Sequence, residues 1–172
     1  AADAGQLLVS GQVVGDADVS KTGDGTVALA NGGNSFSGDL TIENGIVQVR
    51  EDGALGDTAG ETTVHSGGTL QFDASVTNPL VYTTAETISI TGTGEGGIGA
   101  LRSTGGDTTL AAGVSLTVSG SAVIGTDPAT DLVVTFSEII QDTLITGSTF
   151  DIVGSVSGGP LPYSTSYAAP DL

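Results

Sequence analysis

The residues able to do acid–base, nucleophilic or metal chemistry are few and scattered along the chain. His65 is the only histidine and there is no cysteine, so neither a Ser/His/Asp nor a Cys/His set can be assembled. Thiolate metal sites and a disulfide framework are excluded on the same ground. His65 follows Val64 in an alternating run and reads as an outward strand residue. Asp52 and Asp57 bracket a turn and are the one carboxylate pair that could face each other as a glycosidase acid and base. A lyase would want a Lys or Arg base, but Lys21 lies inside a motif and Arg50 and Arg102 stand alone. The Asp24-Gly25 and Asp52-Gly53 turns could offer carboxylate and carbonyl oxygens to calcium. Asp24, Asp52 and Asp57 are therefore the metal candidates, with Ca2+ the one cofactor considered. GGIGALR (96–102) fails as a calcium-roll nonapeptide, since Leu101 stands where the aspartate belongs. Thr91-x-Thr93 brings to mind the flat threonine arrays of ice-binding β-helices, but the pair does not recur at a fixed spacing. No catalytic and no cofactor-binding set emerges, and the chain is expected not to be an enzyme.

Charge narrows the partners. Twenty carboxylates against Lys21, Arg50 and Arg102 give a net charge of −17. Nucleic acid and anionic lipid both rely on Lys or Arg to neutralise phosphate, so neither is expected as a partner. Such a field keeps an exposed polypeptide soluble and self-repelling. No run approaches the ~20 apolar residues of a membrane helix, so no transmembrane segment is expected. The opening Ala1-Ala2-Asp3-Ala4 resembles a mature end left by signal-peptide cleavage, which implies export.

The elements that must position these residues are strands. Apolar residues alternate at Val27/Leu29, Leu40/Ile42, Val47/Val49, Leu70/Phe72, Ile88/Ile90, Leu116/Val118 and Leu132/Val134/Phe136, whereas no stretch shows a 3.6-residue period. The step from Val27 to Val47 is 20 residues, from Val47 to Leu70 is 23, and from Leu70 to Leu116 is 46, twice 23. The second members Leu29, Val49, Phe72 and Val118 follow in step. Short strands recurring every 20–23 residues between glycine turns such as Gly23, Gly45 and Gly53 predict an all-β chain, a right-handed parallel β-helix of stacked coils. Leu7-Leu8-Val9 and Val13-Val14 predict a first pair of strands within a possible N-terminal cap, 1–20. Asp73 to Pro79 predicts a bulging loop, TGTGEGGIGA (91–100) a glycine-rich corner, and 1–157 a single domain.

Lys21 to Val49 carries the pattern most fully: K-T-G-x-G-T-V-x-L, then N-S-F-S-G-x-L-T-I, then N-G-I-V-Q-V, running on to Ala54-Leu55-Gly56. It resembles the passenger-associated transport repeat of bacterial autotransporters, close to KTGxGTLTLSGxNTYSGxTTINxGTLQV followed by ALG. Phe36 replaces the tyrosine and Ile46-Val47 replaces Thr-Leu. TTLAAGVSLTV (108–118) resembles the T-x-L-x-G part again. The resemblance implies a β-helical passenger stalk, secreted or on the surface of a Gram-negative-type bacterium. The function it implies is structural or adhesive, with cell-surface or matrix components as partners. A carbohydrate-active β-helix enzyme acting on extracellular polysaccharide is the alternative. No translocator barrel follows Leu172, so the chain is expected to be a fragment or a relative without one.

The last stretch, 158–172, is rich in proline and too interrupted for a central rung. It reads as an extended tail or end cap, and Pro160, Leu161, Tyr163 and Tyr167 are its candidate assembly residues. Donated as a strand to the open end of a second copy, it would make the protein its own partner in a head-to-tail fibre.

Overall fold

The computed structural model describes residues 5–75 and 77–135. Their strands in chain order are β1 (Gln6–Val9), β2 (Val14–Gly15), β3 (Val19–Lys21), β4 (Thr26–Leu29), β5 (Ser35–Phe36), β6 (Leu40–Val49), β7 (Glu61–Asp73), β8 (Leu80–Tyr82), β9 (Thr87–Gly92), β10 (Leu101–Thr104), β11 (Thr108–Leu110), β12 (Ser115–Ala122), β13 (Ile124–Thr126) and β14 (Leu132–Val134). Every pairing between them is parallel. The chain winds as a β-solenoid of about six turns. The only helical element among the described residues is a 3-10 turn at Glu95–Gly97.

Three faces repeat from coil to coil. The first stacks β1, β4, the end of β6, the end of β7, β10 and β13. The second stacks β2 on β5, and β8, β11 and β14 on one another. The third stacks β3, the start of β6, the start of β7, β9 and β12. The period-2 alternation sets which residues enter. On the first face Val27, Val47, Leu70, Leu101 and Ile124 fall in one column, and on the third Leu40, Thr62, Ile88 and Leu116 in another. Val47, Val49, Leu70, Phe72, Ile88, Ile90 and Leu101 are all buried. Phe72 meets Tyr82 edge-on at a centroid distance of 5.5 Å. Aliphatic layers about 4.8 Å apart bury one another, which no single coil could do alone.

The counted period holds through Leu70 and then fails. Leu70 pairs with Leu101, 31 residues on, and not with Leu116. Leu116 lies beside Ile88 and Val118 beside Ile90, on the third face. The place expected for Val118 in the Leu29–Val49–Phe72 column belongs to Ser103. Two insertions cause the discrepancy. The corner between Ile90 and Leu101 holds the 3-10 turn, and the loop after Phe72 is pinched by a Ser75–Asn78 bridge. Spacing alone cannot separate a long corner from a change of face. For the same reason Thr108–Leu110 pairs with Leu80–Tyr82 on the second face, whereas Thr26–Leu29 lies on the first. In place of the pair of strands expected at Leu7-Leu8-Val9 and Val13-Val14 there are three, β1, β2 and β3, which form a coil in register with the next. Phe136 of the Leu132/Val134/Phe136 run and the tail with Pro160, Leu161, Tyr163 and Tyr167 lie outside the described residues.

The corner between the third and first faces is tight. Gly45 adopts φ 73° there, and a Cβ on it would sit 2.5 Å from the Lys21 ammonium and 2.6 Å from the Gly25 carbonyl. Gly120 has the same φ of 73° but nothing within 4 Å of its Cβ position. Both changes to alanine carry the left-handed strain of ~1–2 kcal/mol, while only Gly45→Ala adds a collision with backbone and a buried cation. Urea unfolding should show Gly45→Ala less stable than Gly120→Ala by about 1 kcal/mol or more. Equal losses would refute this packing of the corner.

Candidate functional site

The chemically capable side chains are spent mainly on joining coils, and the joints follow from the period. Asp18 Oδ1 accepts the Asp39 N–H at 3.0 Å, and Asp39 Oδ1 accepts the Glu61 N–H at 3.0 Å. Asp107 Oδ1 accepts the Asp131 N–H at 3.0 Å in the same manner. Asn34 spans three coils, accepting the Val13 N–H at 2.9 Å and donating to the Ala54 carbonyl at 2.7 Å. Each residue serves backbone groups at corners, where the parallel ladder is interrupted and a donor or acceptor would otherwise go without a partner.

Asp52, expected as a metal ligand or catalytic carboxylate, is the most engaged of these joints. Oδ1 accepts the N–H groups of Thr83 and Thr84 and the Thr84 hydroxyl, each at 2.9 Å, and Oδ2 accepts the Thr83 hydroxyl. Burial acts to raise its pKa, but these hydrogen bonds outweigh burial and hold it below the usual carboxylate range. Asp57 caps its own turn by accepting the Ala59 N–H at 3.1 Å. Asp24 lies at the rim of a groove with Lys21, Thr22 and Gly23. Among the described residues no three or more His, Asp or Glu side chains converge as a metal set. His65 is exposed, 3.8 Å from Glu43.

Lys21 sits in the inward column next to Ile42. Its Nζ turns back to donate to the carbonyls of Thr22, Gly23 and Asn44 at 3.2, 2.5 and 2.9 Å. Desolvation lowers its pKa, with Asp24 and Glu95 opposing. The lysine that opens the repeat motif is thus a cap over corner carbonyls. On the outer side of the first face Gln48 accepts from Gln6 at 3.1 Å and from Arg50, which also pairs with Asp73 at 3.0 Å. Arg102 pairs with Asp127. The spacing concealed one regularity: Ser20, Thr41, Thr63, Ser89 and Thr117 form an outward column through five rungs. Two residues further along stand Glu43 and His65, where the register between β6 and β7 shifts.

The core holds one acid that sequence reasoning missed. Glu86 is only 2% exposed. Its Oε1 accepts the hydroxyl of the inward Thr62 at 2.8 Å, while Oε2 and the nearby Tyr82 hydroxyl have no partner among the described residues. Desolvation pushes its pKa up to about 7, against the lowering effect of the Thr62 bond. A sequence signal existed only for the corner joints, where Asp18, Asp39 and Glu61 recur at the coil period. Nothing in the alternation marked Glu86, which lies just ahead of β9.

Fold and site together define a stacked parallel β-solenoid many of whose polar side chains join one coil to the next. Residues 19–49 match the family model of the passenger-associated-transport-repeat, so the chain carries such a repeat on β3 to β6. It is also 31% identical over 103 residues to the adhesin BmaC autotransporter of Brucella suis biovar 1, a match covering 57% of this chain and 3% of that protein. The chain therefore spans a small fraction of the length of that relative. No solved structure matches it.

The two perturbed carboxylates act at opposite ends of the pH scale. Glu86 has a raised folded pKa, so its contribution is complete below about 4.5 and is lost as pH climbs to about 7. Asp52 has a lowered one, so its contribution is present above the ordinary carboxylate range and is lost on acidification. Stability of the wild type should therefore fall by roughly 3 kcal/mol between pH 4.5 and 7, and Glu86→Gln should flatten that fall. Asp52→Asn should cost about 1–3 kcal/mol at pH 7 and little in strong acid. Denaturant midpoints against pH measure both, and a wild-type curve level from pH 4.5 to 7 would contradict the burial of Glu86.

Proposed function

We propose that this chain is a segment of an autotransporter passenger that serves as a non-enzymatic adhesive module, displayed outside a Gram-negative-type bacterium. The observation that carries the reading is the passenger repeat at 19–49, whose strands are rungs in register with the rest of the rod. The likeness to an adhesin supports the adhesive part. A rod held by its own ladders needs no disulfide, and its charge of −17 keeps it extended from like-charged surfaces and soluble outside the cell. Beads coated with the purified chain should be retained under flow on cultured epithelial cells or matrix-coated glass severalfold more than beads bearing an unrelated protein of equal charge. Equal retention overturns the reading. Release of reducing ends from a polysaccharide, abolished by Asp52→Asn, would identify an enzyme instead.

The finer part of the proposal is end-to-end stacking into a fibre. Among the described residues β1, β2 and β3 pair on one side only. Leu7, Leu8 and Val14 of that coil are 60%, 52% and 65% exposed. An unpaired parallel edge bearing apolar side chains is a template for another coil, either of a second copy or of a preceding part of the same polypeptide. Sedimentation at rising concentration should show growing species for the wild type and a monomer for Leu8→Asp/Val14→Asp; a wild type that stays monomeric rules the stacking out.

A further inference from the structure

The loop between β7 and β8 departs from the regular rung, and beside it lies a notch of about 280 Å3 lined by Arg50, Glu51, Asp73, Ser75, Asn78 and Leu80 among others. Several polar groups around it have no hydrogen-bond partner among the described residues. Arg50 spends Nε and Nη2 on Gln48 and Asp73, and its Nη1 has no partner among the described residues. Among the described residues the exposed Glu51 carboxylate and Asn78 carboxamide make no hydrogen bond either. The loop wall is held in place by reciprocal backbone bonds between Ser75 and Asn78 at 3.2 and 3.0 Å. Asp73 is fixed in turn by Thr104 at 3.2 Å. A guanidinium donor, a carboxylate acceptor, an amide offering both and a serine hydroxyl thus surround one concave space on a rigid scaffold.

We propose that this notch is a subsite for a single ring of a neutral, hydroxyl-rich glycan, and so supplies the ligand class for the adhesive reading, on which the proposal rests. Charge selects neutrality: two carboxylates face one guanidinium within a chain of −17, a field that repels polyanions. The polar lining disfavours an apolar partner, since the paired and unpaired polar groups would be desolvated without replacement bonds. Vicinal hydroxyls both donate and accept, and can bridge the Glu51 carboxylate, the free edge of Arg50 and the Asn78 amide together. Size agrees, because the volume lies just below the ~300 Å3 at which pockets for drug-sized ligands begin, enough for one ring with the polymer continuing outside. Arg50 is already oriented by Gln48 and Asp73, so binding does not have to order it. Function carried by a loop on a rigid scaffold is the usual arrangement.

Native affinity electrophoresis of the full chain through gels containing mannan, dextran or a neutral galactan tests this directly. Retardation by at least one polymer is expected, relieved by the corresponding free monosaccharide. Glu51→Ala and Asn78→Ala, both at exposed positions, should each weaken it at least tenfold with unchanged melting temperature. No retardation by any of the three, or retardation of both variants equal to that of the wild type, overturns the subsite. Stabilisation by glycylglycine without retardation by a polymer overturns it too, in favour of a zwitterionic ligand. Bead adhesion without gel retardation sinks the subsite alone, whereas retardation without bead adhesion sustains the subsite and sinks the adhesive reading.

Discussion

Every other feature of the rod depends on the parallel backbone ladder between successive coils. A coil here is too short to satisfy its own N–H and C=O groups, and it encloses too little apolar surface to fold alone. Both needs are met only by the coil before and the coil after. The alternation of residues follows from this, since each strand must send one set of side chains into a narrow interior and the other outward in register with its neighbours. The long strands β6 and β7, each turning from the third face to the first, carry the ladder around a corner with a register shift between Ile42 and Asn44. Gly45 permits that turn and the Lys21 ammonium neutralises the carbonyls it exposes.

Corners are where a ladder fails, and the acidic composition makes sense there. A carboxylate at a corner can accept the N–H of the following coil, as Asp18, Asp39 and Asp107 do, and Asp52 accepts two such N–H groups together with two hydroxyls. Hydrogen bonds to a charged acceptor are about twice as strong as neutral ones. A chain with many corners accumulates many such acids. Part of the −17 charge is thus structural, in addition to its effect on solubility.

The interior is less uniform than the ladder. Thr62 stands in a column between Leu40 and Ile88, and its hydroxyl is answered by the Glu86 carboxyl. A protonated acid can sit there as a neutral partner, whereas its ionised form is desolvated at a cost. The two insertions fall in this same middle region, one at 73–79 and one at 91–100. A solenoid tolerates such insertions because each leaves the rung before and the rung after intact, so variation concentrates in loops while the ladder persists.

The amino-acid sequence by itself determined the parts that depend on local pattern. The period-2 runs dictated strands, the steps from Val27 to Val47 and on to Leu70 dictated coils, and the Lys21–Val49 motif carried the likeness to the transport repeat, since each is encoded in neighbouring residues or a constant spacing. The tertiary structure decided whatever depended on loop length and on contacts across coils. Leu101 and not Leu116 completes the Leu70 column because corners vary in length, and a spacing of 46 cannot distinguish two coils from one coil and a change of face. Asp52 became a joint between coils because Thr83 and Thr84, 31 and 32 residues away, arrive beside it only when the coils stack. The hydroxyl column from Ser20 to Thr117, the burial of Glu86 and the notch at Arg50 have the same origin: each is assembled by register between rungs, which the linear order of residues does not contain.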